Sequence, residues 1–233
     1  MQKYEISFII PTLNEKDNIS KVYNLVKKTT KLDQYSFEII FVDDKSDDGT
    51  INEIQLLISK DKNIKLIQNE NKNGLGYALM KGVKNSFSKY IVFLDCDVSV
   101  SQKDLRKLII NRGEKLMLIG SRYTKGGKVM GADKTKVFLS KILNFTVSLI
   151  YNLKISDLSH SLRIFPNVID FNNIKTYSHP GFFWEITLIF KKNGIVNEMP
   201  ITFNERVYGI TKNKTKKLIY SVMSFFINKI KFK

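Results

Sequence analysis

Short apolar runs that end in polar clusters alternate with segments of helical spacing through the first half of the chain. Ile6–Ile10 is an apolar run stopped by Pro11, and Phe37–Val42 is a run that ends in acids. Ile64–Ile67, Tyr90–Leu94 and Lys115–Ile119 complete a series of five strand-like runs. Between them, Ile19, Val22, Leu25 and Val26 recur at helical spacing within Asn14–Thr30. Asp48 can cap a helix that carries Ile51, Ile54, Leu57 and Ile58, and Gly76–Phe87 and Lys103–Ile110 read as further helices. Strands alternating with helices predict an α/β fold with a mostly parallel sheet covered on both faces.

The second half changes character. Lys125–Gly131 is a basic, glycine-rich loop, and Thr135–Asn152 reads as an amphipathic helix with a broad apolar face. Gly181–Lys192 reads as a helix, and Ile195–Phe203 as a strand that carries Pro200. In Thr215–Ile230, Leu218, Ile219, Val222, Met223, Phe226, Ile227 and Ile230 form one stripe. The division this suggests is a main domain over 1–213 and a basic amphipathic helix over 214–233. No targeting segment is visible, and no apolar stretch reaches the roughly 20 residues of a spanning helix.

In sheets of this kind ligands bind beyond the carboxyl ends of the strands. Three strand ends carry Pro11–Glu15, Asp43–Asp48 and Asp95–Ser99, and a fourth ends at Gly120–Arg122. Asp95-Cys96-Asp97 directly follows a buried strand, where two carboxylates suit Mg²⁺ or Mn²⁺ gripping a diphosphate. Cys96 between them reads as a small hydrophobe. Asp43 and Asp44 are candidates for metal, base or ribose, while Asp47 and Asp48 fit a turn and a helix cap. Gly74-Leu75-Gly76 lacks the third glycine of a dinucleotide fingerprint, since position 79 is Leu79, and no P-loop sequence exists. Arg122, Arg163 and Arg206, near glycines or polar turns, are candidate phosphate ligands. His160 and His179 are isolated, and no serine or cysteine nucleophile has an evident partner.

Charge narrows the partner. The 233 residues carry 38 Lys+Arg against 22 Asp+Glu, a formal net charge of +16. From Arg206 onward there are eight basic residues and no acidic one. Such a balance calls for an anionic partner: nucleic acid, a membrane surface or phosphorylated substrates. The basic tail carries an apolar stripe rather than interleaved aromatics, and acidic strand ends repel phosphates without a metal, so nucleic acid is not expected. One cysteine excludes a disulfide framework, and with two histidines a Cys/His zinc site is not supported.

Seven segments resemble family 2 of the glycosyltransferases, and within it the dolichol- or polyprenol-phosphate mannose synthases. They are Pro-Thr-Leu-Asn-Glu (11–15), Val-Asp-Asp-Lys-Ser-Asp-Asp-Gly-Thr (42–50), Asn-Gly-Leu-Gly-Tyr-Ala (73–78), Asp-Cys-Asp-Val-Ser (95–99), Gly-Ser-Arg-Tyr-Thr-Lys-Gly-Gly (120–127), Ser-Asp-Leu-Ser-His-Ser-Leu-Arg (156–163) and Pro-Ile-Thr-Phe-Asn-Glu-Arg-Val-Tyr-Gly-Ile-Thr-Lys (200–212). The resemblance implies a glycosyltransferase-A fold, a Rossmann-like, mostly parallel sheet with helices on both faces. It implies a sugar-nucleotide donor, most often GDP-mannose, and a polyprenyl or dolichyl phosphate acceptor. By motif position, Pro11, Leu13, Glu15, Asp43, Asp44, Asp95, Cys96, Asp97, Arg206 and Lys212 would bind the sugar nucleotide. Asp95, Asp97 and Ser99 would hold the metal, and Arg122, Lys136, Ser140 and Arg163 would meet the acceptor phosphate. Asp95, Asp97 and Arg122 would carry catalysis.

Departures from the family pattern are specific. Leu13 stands where a tyrosine is usual, which weakens base stacking. Lys136 replaces a usual arginine, turning a bidentate grip into a point charge. His160 and Leu162 replace Gly and Phe on the acceptor side. The expected reaction is one inverting, metal-dependent displacement, with transfer of glucose or another hexose to polyprenyl phosphate or to another glycan acceptor as the alternative. The expected location is peripheral, on the cytoplasmic side of a membrane, through the helix around 215–230, with a small membrane-anchoring protein as a further candidate partner.

Overall fold

β1 (Tyr4–Thr12) is apolar on both faces because it lies at the centre of a sheet covered on both sides. Ile6, Phe8 and Ile10 pack against Ile19, Val22 and Val26 of α1 (Lys16–Leu32). Ile9, on the opposite face, joins a second core with Leu79 and Val83 of α3 (Leu75–Lys84). Each fully buried side chain of this size contributes about 1.5–3 kcal/mol. The computed structural model describes residues 3–168, 174–204 and 215–230, and within the last segment the side chains of 220–227.

The sheet has seven strands in the order β3-β2-β1-β4-β7-β5-β8. β1 pairs in parallel with β2 (Phe37–Asp43) and β4 (Ser88–Phe93), and β2 with β3 (Ile64–Gln68). β5 (Leu116–Ser121) pairs in parallel with β8 (Ile195–Pro200). β7 (Arg163–Pro166) lies antiparallel between β4 and β5, so β4 and β5 keep the same direction. The carboxyl ends of β1, β2, β4 and β5 therefore open on one side. The helices α2 (Thr50–Ile58) and α4 (Gln102–Ile110) complete the alternation expected from the apolar pattern.

Two features depart from that pattern. β7 was not predicted: it is four residues long and begins with a buried arginine. The strand expected over Ile195–Phe203 is two strands, β8 and β9 (Thr202–Asn204). β9 leaves the large sheet to pair with β6 (Lys128–Met130), inside the glycine-rich loop. The C-terminal helix α7 (Thr215–Ile230) packs on α6 (Gly181–Lys191). Phe225 is fully buried, edge-on to Trp184 at 5.2 Å and to Tyr151 at 5.8 Å. Met223 and Ile227 face outward, and Tyr220 is exposed at the rim of the cavity described below. No helix among the described residues is long and apolar enough to cross a membrane.

Candidate active site

The loops after β1 and β2 are locked together before they meet any ligand. Asn14 takes a positive φ of 55°. Its backbone N–H donates to Ser46 Oγ at 2.8 Å and its side-chain amide to Asp47 at 2.9 Å. The N–H of Glu15 donates to Thr50 Oγ1 at 2.8 Å, and that of Lys16 to Asp48 at 3.2 Å. Asp47 and Asp48 thus serve the turn, as their positions predict. Asp43 is fully buried and accepts from Thr12 Oγ1 at 3.0 Å and from the Ser46 N–H at 2.8 Å. It does not line the cavity, and these contacts fasten the loop.

A cavity of about 680 Å³ opens at these strand ends. Pro11, Leu13 and Glu15 line it from the β1 side, Asp44 from β2, Asp95 and Cys96 from β4, and Arg122 from β5. Asp44 is nearly buried and accepts from the N–H groups of Asn73 and Gly74, each at 2.9 Å. Gly74 takes a φ of 93°, a conformation that disfavours side chains. A Cβ at Gly76 would lie 2.5 Å from the Tyr177 carbonyl, which accepts the Gly76 N–H at 3.0 Å. The Gly-Leu-Gly segment therefore works by close backbone packing of the cavity wall, not as a dinucleotide loop.

Arg122 is the most firmly held cation of the site. Its Nε donates to Asp157 at 2.7 Å, its Nη2 to the other oxygen at 2.9 Å, and its backbone N–H to the first oxygen at 3.0 Å. Burial alone would raise the Asp157 carboxyl; the bonds and charge of Arg122 overcome this and hold it below the usual range. The guanidinium also lies over the rings of Tyr123 and Phe203. The Asp95 carboxylate adds to the field that keeps Arg122 charged. Ser161 Oγ donates to Asp95 in a short hydrogen bond.

Asp97 is partly buried and accepts from the Ser99 N–H at 3.2 Å. Ser99 is buried, and its carbonyl accepts from the Asn204 N–H at 2.9 Å. Neither lines the cavity. Lys136 is exposed in the first turn of α5 (Lys134–Ile150), and Ser140 lies one turn on; both stand outside the cavity wall. Arg163 lies on β7. It is fully buried and donates to the carbonyls of Leu158, His160 and Phe183 and to Thr187 Oγ1. Burial lowers its pKa to about 9. It braces the segment between Leu158 and α6. Arg206 and Lys212 lie outside the described residues.

Several wall residues carry no sequence signal. Tyr177, Ser178 and His179 enter from the loop before α6, Phe203 from β9 and Tyr220 from α7. His160 and His179 line the same cavity, and burial, with the Arg122 charge second, lowers them to about 3 and about 4. Both imidazoles are neutral at physiological pH. Asn144 of α5, fully buried, clasps Ser159 through its N–H at 2.9 Å and its Oγ at 3.0 Å. This ties α5 to the segment that holds Arg122.

Comparison with known proteins accounts for this arrangement. The family model described as Glycosyl transferase family 2 matches residues 7–170. Among curated proteins, dolichol-phosphate mannosyltransferase of Saccharomyces cerevisiae is 25% identical over 92% of this chain and 83% of its own length. The protein of the same name from Pyrococcus furiosus is 31% identical over 92% of this chain and 60% of its own length. Among solved structures, glucosyl-3-phosphoglycerate synthase of Mycobacterium tuberculosis, in complex with Mn²⁺, uridine diphosphate and phosphoglyceric acid, superposes with a TM-score of 0.69. That match covers 98% of this chain and 78% of the other at 14% identity, a likeness of fold. With a family model spanning both acidic strand ends, the Arg122 strand and β7, the chain belongs to glycosyl transferase family 2 and is a glycosyltransferase.

Proposed function

We propose that the chain transfers a hexose, mannose from GDP-mannose first, to the phosphate of a polyprenyl or dolichyl lipid. The observation that carries this reading is Arg122. A cation fixed by a buried carboxylate beside Asp95, in a cavity at the strand ends, suits a site that must hold phosphate groups without reorganising. The names of the curated relatives support the lipid acceptor and the mannosyl donor.

The chemistry needs little proton transfer. A phosphate monoester has a second pKa of about 6 and is largely dianionic at neutral pH. One of its oxygens forms the bond to the anomeric carbon as the bond from that carbon to the donor diphosphate breaks. The electron pair leaves with the nucleoside diphosphate, and the anomeric configuration inverts. The two cavity histidines, neutral and hard to protonate, agree with a reaction that lacks an imidazolium relay. Arg122 orients the attacking phosphate, and the loops pinned by Asp43 and Asp44 shape the donor side.

Asp95 and Asp97 fit a hard divalent cation such as Mg²⁺ or Mn²⁺. Among the described residues, no group of three or more His, Cys, Asp or Glu side chains surrounds a single point. Two carboxylates leave positions for diphosphate oxygens and water, the habit of these ions. Bound there, the cation would neutralise charge on the leaving diphosphate.

The test is a donor screen. Radiolabelled GDP-mannose and UDP-glucose are each offered with a short-chain polyprenyl phosphate, with and without Mg²⁺ or Mn²⁺, to the parent and to Asp97→Ala. The expected result is cation-dependent mannosyl transfer that falls about 100-fold or more in the variant. Transfer from UDP-glucose alone would establish the glucosyl alternative. Full activity in Asp97→Ala would overturn the metal assignment.

A further inference from the structure

Five buried side-chain donors or acceptors have no hydrogen-bond partner among the described residues, and only one of them, His160 Nε2, belongs to a residue that lines the cavity. His160 is 4% exposed. Its Nδ1 accepts from the Leu162 N–H at 3.2 Å, so that nitrogen carries the lone pair. A neutral ring then has its proton on Nε2. The unpartnered atom is therefore a donor. A buried donor without an acceptor is a loss that a ligand oxygen can restore.

The surroundings identify that oxygen. The residues on either side tie His160 to the cation and to the carboxylate of the site: Ser159 Oγ lies 3.3 Å from Arg122 Nη2, and Ser161 Oγ donates to Asp95. The Phe203 ring stands at 87° to the imidazole with centroids 5.6 Å apart, and the Arg122 guanidinium lies 5.5 Å from the centre of the same ring. His160 and Arg122 thus border one part of the cavity. The Arg122 charge draws an anion there and opposes a second positive charge on the imidazole. His160 is left as a neutral second donor for the anion that the guanidinium holds. A phosphate monoester, whose dianion offers oxygens that only accept, is complementary to that pair. A glycine, usual at position 160 in the family pattern, offers no side-chain donor.

We propose that His160 is a substrate-binding residue whose Nε2–H donates to an oxygen of the phosphate monoester that Arg122 orients. This rests on the lipid-phosphate acceptor reading and deepens it. The attacking phosphate gains a second, uncharged ligand that fixes its rotation about the guanidinium. No proton is transferred: the N–H stays on nitrogen while a different phosphate oxygen attacks the anomeric carbon.

The chain has two histidines, so the full-length protein labelled with ¹⁵N in histidine gives two imidazole signals, and His179→Gln assigns them. The free protein should show His160 as the Nε2–H tautomer. Geranyl phosphate, geraniol, inorganic phosphate and GDP are then titrated in separately. Geranyl phosphate is expected to shift the His160 Nε2 proton downfield until the site saturates, and geraniol and GDP are not. The same shift with inorganic phosphate assigns the contact to the phosphate group alone; its absence shows that the chain is needed to deliver that group, and both support the proposal. In steady-state transfer, His160→Leu should raise the acceptor KM roughly tenfold or more, with the sugar-nucleotide KM within about twofold of the parent. His160→Gln, whose amide keeps a donor, should recover most of the loss. Where His160→Leu does not fold, the labelled parent decides. A folded His160→Leu with the parent's acceptor KM overturns the inference. A His160 signal that ignores geranyl phosphate, in a parent that transfers sugar to it, also overturns it and leaves the reaction standing. A shift produced by GDP alone overturns it in favour of the donor diphosphate. Neither a shift nor transfer overturns both. A His160 signal that follows geranyl phosphate in a protein that transfers no hexose from any donor refutes the proposed reaction and leaves the contact standing.

Discussion

Asp157 is fully buried and receives three hydrogen bonds from one arginine. It has no surface in the cavity, so its contribution to catalysis passes through the position of Arg122. Asp157→Asn keeps the shape and removes the charge. The arginine, 17% exposed at its side chain, then keeps a cation in a poorly solvated place. Breaking such a pair by removing one partner costs about 3 kcal/mol. The expected outcome is a lower urea midpoint, a raised KM for the acceptor and a kcat reduced about 100-fold. Asp97→Ala, by contrast, should leave the urea midpoint near that of the parent. Equal stability of Asp157→Asn and the parent would show that the pair carries no structural tension between burial and charge.

At the scale of elements, the contacts of α7 show what its inner face holds. Its apolar period was legible, but a period cannot say whether a stripe meets lipid or protein. On its inner face, Ser221 Oγ donates to the Ser178 carbonyl at 2.9 Å and accepts from the Gly181 N–H at 3.1 Å. The helix therefore holds the loop that brings Tyr177 and His179 to the cavity. Ser221→Ala leaves a buried N–H without that partner, a loss of about 1–3 kcal/mol. The expected signature is a raised KM for the sugar nucleotide in steady-state assays with a short-chain acceptor, together with a lower urea midpoint.

The same contrast explains what the sequence could and could not disclose. The parallel half of the sheet was legible because Ile6–Ile10, Phe37–Val42 and Tyr90–Leu94 are apolar runs of strand length, each followed by polar residues that cannot continue a core. The acidic ends of those strands, and Arg122 after the run Lys115–Ile119, followed directly. β7 was hidden because four residues headed by an arginine carry no period, and only the fold shows that Arg163 donates inward. Asp157 was hidden in a polar segment where nothing local distinguishes it from a turn residue. Tyr177, Phe203 and Tyr220 reach one cavity from three distant segments, a convergence set by topology rather than by spacing.

At the scale of the whole molecule, the chain has two histidines, and both are neutral groups in the cavity wall. This gives its acid stability a form that can be computed in sign. Folded pKa values of about 3 for His160 and about 4 for His179 lie below the ordinary value of 6.5. Between those limits the unfolded chain binds protons that the folded chain refuses, so stability falls as pH falls through 6.5. Each histidine adds up to about 1.4 kcal/mol per pH unit to that slope. The paired carboxylates act in a lower window. Asp33, Asp61 and Asp157 are held below the ordinary value of 3.8, so their stabilisation is present above it and is lost only beneath about pH 4. From about pH 6.5 to about pH 5 the slope therefore belongs to the histidines. Urea midpoints measured across this interval should fall steadily in the parent. His160→Gln keeps an acceptor for the Leu162 N–H, which Nδ1 now takes at 3.2 Å, and should remove about half of the slope. His160→Gln/His179→Gln should leave urea midpoints flat down to about pH 5. A parent slope retained in full by the double variant would mean that the imidazoles are solvated and charged in the folded protein. Arg122 would then share its cavity with two cations.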